Sequence, residues 1–254
     1  MPKHPTKEIK SVSELIQCLK NETNPDLVTW FRGHSKFDWI LEPSINRFTY
    51  PDPIGWAIRL YKTFVQNSVK LFNSPPTQEY EWMFYMQHYG IPTTLMDWSE
   101  SPLVGLYFAV EDEKHHSDDG ALYFLEPTTF NSSASHTVVG QKDIFAFGID
   151  NETTQYLLTQ INLTNKLLKT PPMAAIGPKN SVRIQAQEGA FVAHHRDMTW
   201  MEQNIASSNW AWKHKIPASA KIGILEELRY LMMDRYTIYP QLDNLAKKIK
   251  ETVK

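Results

Sequence analysis

Leu27-Val28-Thr29-Trp30-Phe31-Arg32-Gly33, answered by Gln87-His88-Tyr89-Gly90-Ile91-Pro92-Thr93-Thr94-Leu95-Met96-Asp97-Trp98, decides how this chain is read. β-branched and aromatic residues fill 27–31 behind the turn chemistry of Asn24-Pro25-Asp26, so that run is expected to be a buried strand with Arg32 at its exit. An arginine there offers a forked, permanently charged donor to a phosphate or carboxylate, and Gly33 beside it allows a close backbone approach. The alternative is a structural ion pair of Arg32 with Asp97 or Glu42. The second stretch brings His, Asp and aromatic side chains to the start of a helix at Ser101-Pro102, where the hydroxyl caps and the proline occupies the first turn. The two segments are expected to share one cleft.

Working outward, Ser11 and Glu14 form a capping-box pattern ahead of Val12, Leu15, Ile16 and Leu19, which predicts a first helix. The segment 37–50 has no clean period and reads as a loop. Apolar positions from Ile54 to Phe72 recur on one helical face, and Thr77 is placed to cap a further helix through Tyr89, closed by Gly90. Residues 103–110 are apolar almost all round, which predicts a buried helix; Ala121–Leu125 is expected to be a strand. A Ser/Thr-rich stretch over 128–137 and a helix around 153–168 look like an insertion spanning about 128–172. Asn180 is expected to cap a short turn that Gly189 ends, followed by a strand over 190–194. Two helices are predicted at 222–233 and 242–253. The fold class is α+β: a single domain over 1–254 in which a small mixed sheet is flanked by helices. Its motif-bearing core covers 27–125 and 180–195, and its C-terminal helices cover 220–254.

Composition excludes several function classes. The 254 residues are 42% hydrophobic, enough to close a core without staples. Against 28 Asp+Glu stand 26 Lys+Arg, a formal net charge of -2, so no general grip on nucleic acid or anionic membrane is expected. The single cysteine, Cys18, has no internal disulfide partner, and no run is apolar and long enough to cross a bilayer. The polar stretch 1–10 lacks the apolar core of a signal peptide, so a cytoplasmic location is expected.

Several further residues carry possible chemistry. His34 and Ser35 diverge on an extended segment, which makes a catalytic dyad improbable but leaves either free to touch a ligand. His88 falls near a helix C-terminus, where the helix dipole explains it equally well. Neither His88 nor the adjacent pairs His115-His116 and His194-His195 have the spacing of a metal site, so no metal ligand is assigned. Asp97, Trp98 and Ser99 precede a helix N-terminus, where Asp97 either satisfies exposed N–H groups or joins Arg32 in an anion site. Trp30, Tyr89 and Trp98 are core residues or stacking surfaces for a nucleobase or nicotinamide. Glu188 is the best-placed carboxylate of the C-terminal half, with Gln185 and Gln187 beside it; as a bland alternative it is a surface turn residue.

On these residues the chain resembles the FRG-domain family, named for the motif that stands here as Phe31-Arg32-Gly33. The resemblance continues through Trp39-Ile40-Leu41-Glu42-Pro43-Ser44 with Arg47, then Gln87-His88-Tyr89-Gly90-Ile91-Pro92-Thr93, Leu95-Met96-Asp97-Trp98-Ser99, Pro102-Leu103-Val104, Tyr107-Phe108-Ala109, and Arg183-Ile184 with Ala186-Gln187 and Gly189. Thr94 stands where the family usually carries an arginine. A second, weaker resemblance is to the Arg-Ser-Glu class of mono-ADP-ribosyltransferases. It implies an ADP-ribosyltransferase-like fold with NAD as substrate and an unknown macromolecular target in a toxin or phage-defence setting. Under it Arg32 binds the NAD phosphates or ribose, Ser99 lies near the nicotinamide ribose, and Glu188 holds the ribose hydroxyl and stabilises an oxocarbenium-like transition state. Gly33, His34, His88, Tyr89, Asp97, Trp98 and Gln187 are the accompanying candidates for cofactor binding. Since Gln187, not Glu188, is the matched position, a site that binds NAD without transferring it is also implied. The rivals are a metal-dependent hydrolase or nuclease using Asp97, His88 and Glu188, and a non-catalytic ligand- or protein-binding module.

Overall fold

The run at 27–31 does lead into a strand, but one that begins three residues late. Leu27 N–H closes a turn onto the Asn24 carbonyl at 3.0 Å, so the chain becomes extended only beyond it, in β1 (Trp30–His34). Arg32 therefore sits in mid-strand and not at the exit. In the computed structural model, which describes residues 3–134, 144–167 and 170–253, β1 is joined by β2 (Leu95–Ser99), β3 (Gly120–Leu125), β4 (Phe145–Ala146), β5 (Met173–Ile176), β6 (Gly189–Ala193) and β7 (Ala211–Ile216). Among the described residues these make one seven-stranded mixed sheet in the order β4-β5-β6-β2-β1-β3-β7. Only β4 and β5 run parallel; the other neighbours are antiparallel. The chain is thus mixed α and β, with a larger sheet than its sequence indicates.

Helices cover both faces of the sheet. Phe31, Leu122, Phe124 and Trp212 are buried beneath α1 (Val12–Glu22), α4 (Pro102–Val110) and α9 (Lys221–Tyr230). Leu95, Met173, Ala175 and Phe191 lie under α2 (Pro53–Ser68), α3 (Glu79–His88) and α6 (Leu158–Leu163). The opposite face carries Trp30, Met96, Trp98, Tyr123 and Val192, packed on Phe130 of α5 (Pro127–Ser133) and Met201 of α8 (Trp200–Ile205). Burying each large side chain of this kind stabilises the fold by about 1.5–3 kcal/mol. The short helices α7 (Val182–Ala186) and α10 (Arg235–Ile238), with α11 (Leu242–Thr252), complete the chain.

Helix starts follow the sequence, with shifts of a residue or so. Ser11 accepts from Glu14 N–H at 3.1 Å, while the Glu14 carboxylate accepts from Lys10 N–H at 2.7 Å, one residue before the cap. Gln78, and not Thr77, caps α3, and Gly90 ends it at φ +75°. Ser181, and not Asn180, caps α7, because its hydroxyl reaches Ile184 N–H at 3.1 Å. The helix expected over 153–168 is a 3₁₀ segment (Asn151–Tyr156) followed by α6; Leu168 lies outside the described residues, as do 135–137 of the Ser/Thr-rich stretch. The region 128–172 places Phe130, Phe145, Tyr156, Leu158 and Ile161 in the core. Strand β7, which periodicity did not reveal, alternates buried Trp212, His214 and Ile216 with half-buried Lys213 and Lys215. No helix among the described residues is long and apolar enough to cross a membrane.

One contact sets the geometry around Arg32. A Cβ on Gly33 would lie 2.1 Å from the Gly105 carbonyl oxygen and 2.3 Å from Ala109 N, and one on Gly105 would lie 2.7 Å from Phe31 Cβ. Two glycines facing each other let α4 lie directly against the backbone of β1. The close approach that Gly33 allows on this side is that of a helix.

Candidate anion-binding cleft

The cleft opens where the sheet splits. β1 stays in register with β3 from Trp30–Leu125 to His34–Ala121, and β2 with β6 from Leu95–Ala193 to Ser99–Gly189. Between β1 and β2 only Phe31 and Ser99 pair. The residues that would continue that ladder, Arg32 and Gly33 on one strand and Trp98 and Asp97 on the other, instead line a cavity of about 190 Å³. The same cavity is bounded by His34, Trp39, Arg47, Ser99, Phe108, Arg183 and Gln187.

Arg32 is held by its own strand and by the neighbouring one. Its Nε donates to His34 Nε2 at 3.0 Å, and its Nη1 donates to the Asp97 backbone carbonyl, a group left free by the missing ladder. His34 is buried, and its Nδ1 lies 3.3 Å from the Trp39 carbonyl. Accepting at Nε2 and donating at Nδ1 is the neutral tautomer. Burial, aided by the Arg32 and Arg47 charges, keeps His34 well below its usual pKa, in agreement with that role. Burial first, and then Arg47, pull the Arg32 guanidinium down to about 10, leaving it cationic at neutral pH. The Arg32 ion pair with Asp97 or Glu42 does not form among the described residues; a carbonyl and an imidazole hold it instead.

Three guanidinium groups therefore face one carboxylate. Asp97 is exposed in the cleft, and desolvation by the protein packed around its carboxylate raises its pKa despite the nearby Arg32. Its side chain does not cap α4, which Ser101 does by accepting from Val104 N–H at 3.4 Å. Arg47 is exposed at the rim and makes no hydrogen bond or ion pair with any described residue. Arg183 donates to the His88 carbonyl at 2.6 Å and lies over the Tyr239 ring, 5.0 Å from its centroid. Gln187 is fixed by its Nε2 donating to the Ile238 carbonyl at 3.2 Å.

Of the residues singled out from sequence, Arg32, Gly33, His34, Asp97, Trp98, Ser99 and Gln187 meet at this cavity. Ser99 is buried and already engaged: its Oγ donates to the Gln187 carbonyl at 2.7 Å and accepts from Ser101 N–H at 3.0 Å. Trp98 belongs mainly to the core. His88 lies in an adjoining recess with Asp97, Arg183 and Gln187, where burial lowers its pKa. Tyr89 is exposed and lines neither space. Glu188 stands apart: exposed in a left-handed turn at φ +45°, it pairs with Lys179, which also reaches Glu100 at 3.1 Å. Thr94 is fully buried away from the cavity lining.

Arg47, Arg183 and Trp39 were not singled out as site residues, although all three stand in the motif strings. Nothing in their local spacing marks them: Trp39 and Arg47 lie in the aperiodic segment 37–50, and Arg183 comes from a distant part of the chain. Among the described residues one buried group, Cys18, Glu22 and His214, has the proximity of metal ligands. There His214 Nε2 contacts Glu22 at 2.7 Å, its Nδ1 accepts from Lys7 N–H at 3.1 Å, and Lys7 pairs with Glu22 at 2.5 Å. Both ring nitrogens are thus occupied, and the group ties the N-terminal segment to β7.

No curated protein and no solved structure matches this chain. The family model described as the FRG domain matches residues 28–118, which hold β1, α2, α3, β2 and α4 and contribute Arg32, Trp39, Arg47 and Asp97 to the cleft; the chain carries an FRG domain.

Proposed function

We propose that the cleft binds an anionic nucleotide of the NAD type through its phosphates, without transferring ADP-ribose. The observation that carries this reading is the charge imbalance: Arg32, Arg47 and Arg183 border one cavity with Asp97 as the only carboxylate among the described residues that line it. Guanidinium groups crowded this way repel one another, and an anion offering several acceptor oxygens relieves that repulsion while forming forked, charge-assisted hydrogen bonds. Arg32 is pre-positioned by His34 and Asp97, so little ordering is lost on binding.

Binding is favoured over transfer because the carboxylate needed to hold a ribose hydroxyl is elsewhere. Glu188 pairs with Lys179 outside the cavity, and the side chain inside is Gln187, an amide without the negative charge that an oxocarbenium-like state requires. A hydrolase built on Asp97, His88 and Glu188 meets the same difficulty, since Glu188 does not join the other two.

The test is calorimetric titration of the protein with NAD, ADP and inorganic pyrophosphate. Binding that weakens at least about tenfold in Arg32→Gln, the loss expected for a charge-assisted contact, supports the reading. Absence of binding to all three ligands, or affinity unchanged in Arg32→Gln, overturns it. Release of nicotinamide from NAD with a macromolecular acceptor, abolished by Glu188→Gln, would establish transfer instead.

A further inference from the structure

The cleft cavity is too small for the ligand proposed above. At about 190 Å³ it falls below the roughly 300–1,000 Å³ of sites that take molecules of nucleotide size. A second, larger recess of about 390 Å³ adjoins it, lined by Asp38, Trp39, Ile40, Glu42 and Arg47. Trp39 and Arg47 border both spaces and form the joint between them.

Trp39 has the properties of a platform. Trp39 is 40% exposed, which is costly for so large an apolar side chain unless something covers it. Its position is nevertheless fixed. The Trp39 carbonyl accepts from Tyr123 OH at 3.2 Å and contacts His34 Nδ1 at 3.3 Å, while His115 meets the ring edge-to-face at 5.1 Å. Next to it Arg47 makes no hydrogen bond or ion pair with any described residue, and Asp38 and Glu42, the latter accepting from Asn46 Nδ2, place two carboxylates at the recess.

We infer that the site has two chambers, with a nucleobase stacked on Trp39 in the larger recess, a phosphate at Arg47 where the chambers meet, and the rest of the ligand beside Arg32 and Arg183. Stacking on an aromatic face accepts any base, whereas the Asp38 and Glu42 carboxylates favour one that offers an exocyclic amine, as adenine does. This inference rests on the nucleotide reading and adds to it the place and chemistry of the base.

Calorimetry with ADP, IDP and inorganic pyrophosphate tests it, using wild type, Trp39→Ala and Trp39→Phe, with thermal melts confirming that each variant is folded. Wild type is expected to hold ADP at least about tenfold more tightly than pyrophosphate. Trp39→Ala removes most of that advantage, weakening ADP at least about tenfold and pyrophosphate far less, Trp39→Phe keeps most of it, and IDP, lacking the 6-amino group, binds more weakly than ADP. ADP affinity unaffected by Trp39→Ala, or equal losses for ADP and pyrophosphate, overturns the two-chamber site while leaving the phosphate reading intact. Equal affinity for ADP and IDP overturns the role given to the carboxylates. A wild-type protein that binds none of the three overturns both readings.

Discussion

The Arg183 guanidinium lies 5.0 Å from the centroid of the Tyr239 ring, and the Tyr239 hydroxyl donates to Glu111 Oε1 at 2.7 Å. A residue far outside the matched segment 28–118 thereby fixes one of the three cations of the cleft. Removing the ring in Tyr239→Leu should release Arg183 and weaken ADP binding about three- to tenfold, the range of a partly desolvated cation–π contact. Tyr239→Phe, which keeps the ring, should stay within about twofold. In the Arg183→Gln background Tyr239→Leu should cost nothing more; additive losses in calorimetry would show that Tyr239 acts through general stability.

His34 gives Arg32 its direction. Replacing it with Leu leaves Arg32 Nε without an acceptor in a partly buried setting, which should lower stability by about 1–3 kcal/mol and weaken nucleotide binding as well. Urea titration and calorimetry read the two effects separately. Undiminished affinity in His34→Leu would mean that the Asp97 carbonyl alone suffices to orient Arg32.

The crossing of α4 over β1 makes a sharp prediction about two glycines. Gly33→Ala forces a methyl group into the Gly105 carbonyl and Ala109 N, backbone atoms that cannot turn aside, so a loss of about 3 kcal/mol or more, or failure to fold, is expected. Gly90→Ala meets no atom within 4 Å but holds a left-handed φ of +75°, so it should cost only about 1 kcal/mol. Similar unfolding midpoints for the two variants would contradict the helix-on-strand contact.

Acid should destabilise the protein through its buried histidines. Burial lowers the pKa of His34 strongly and brings His194 and His195 down to about 4. Above pH about 6.5 these rings are neutral in both the folded and unfolded chain, and their contribution is fully present. Below it the unfolded chain takes up protons that the folded one refuses, so stability falls as pH drops toward the folded values. Asp97 and Glu111, raised by burial, work in the opposite sense because the folded chain protonates them first. The histidines are more numerous and more strongly shifted, so the urea midpoint should fall between pH 6.5 and 4.5; a flat profile would show that they are hydrated in solution.

Glu188 supplies a negative control. Because it pairs with Lys179 outside the cavity, Glu188→Gln should change ADP affinity by less than about twofold, in keeping with the small worth of an exposed ion pair. A large loss would return this carboxylate to the site.

The sequence by itself determined where most elements begin, because capping and turn chemistry are local. Ser11, Ser101-Pro102 and Gly90 act on N–H and carbonyl groups within a few residues and do so here as expected. It also identified Arg32, Asp97 and Gln187, which do meet at the cleft. Strand β7 and the two short strands β4 and β5 escaped because their stability comes from cross-strand partners and burial, which no local pattern encodes. The role of Gly33 was likewise undecidable from the chain, since a glycine that admits a helix and one that admits a ligand are spelled the same way. Tertiary structure alone decided that β1 and β2 part after a single pair, that Arg47, Arg183 and Trp39 converge on the gap, and that Glu188 faces Lys179. Those outcomes depend on long-range register and on charges brought together from distant segments, and both are fixed only when the sheet assembles.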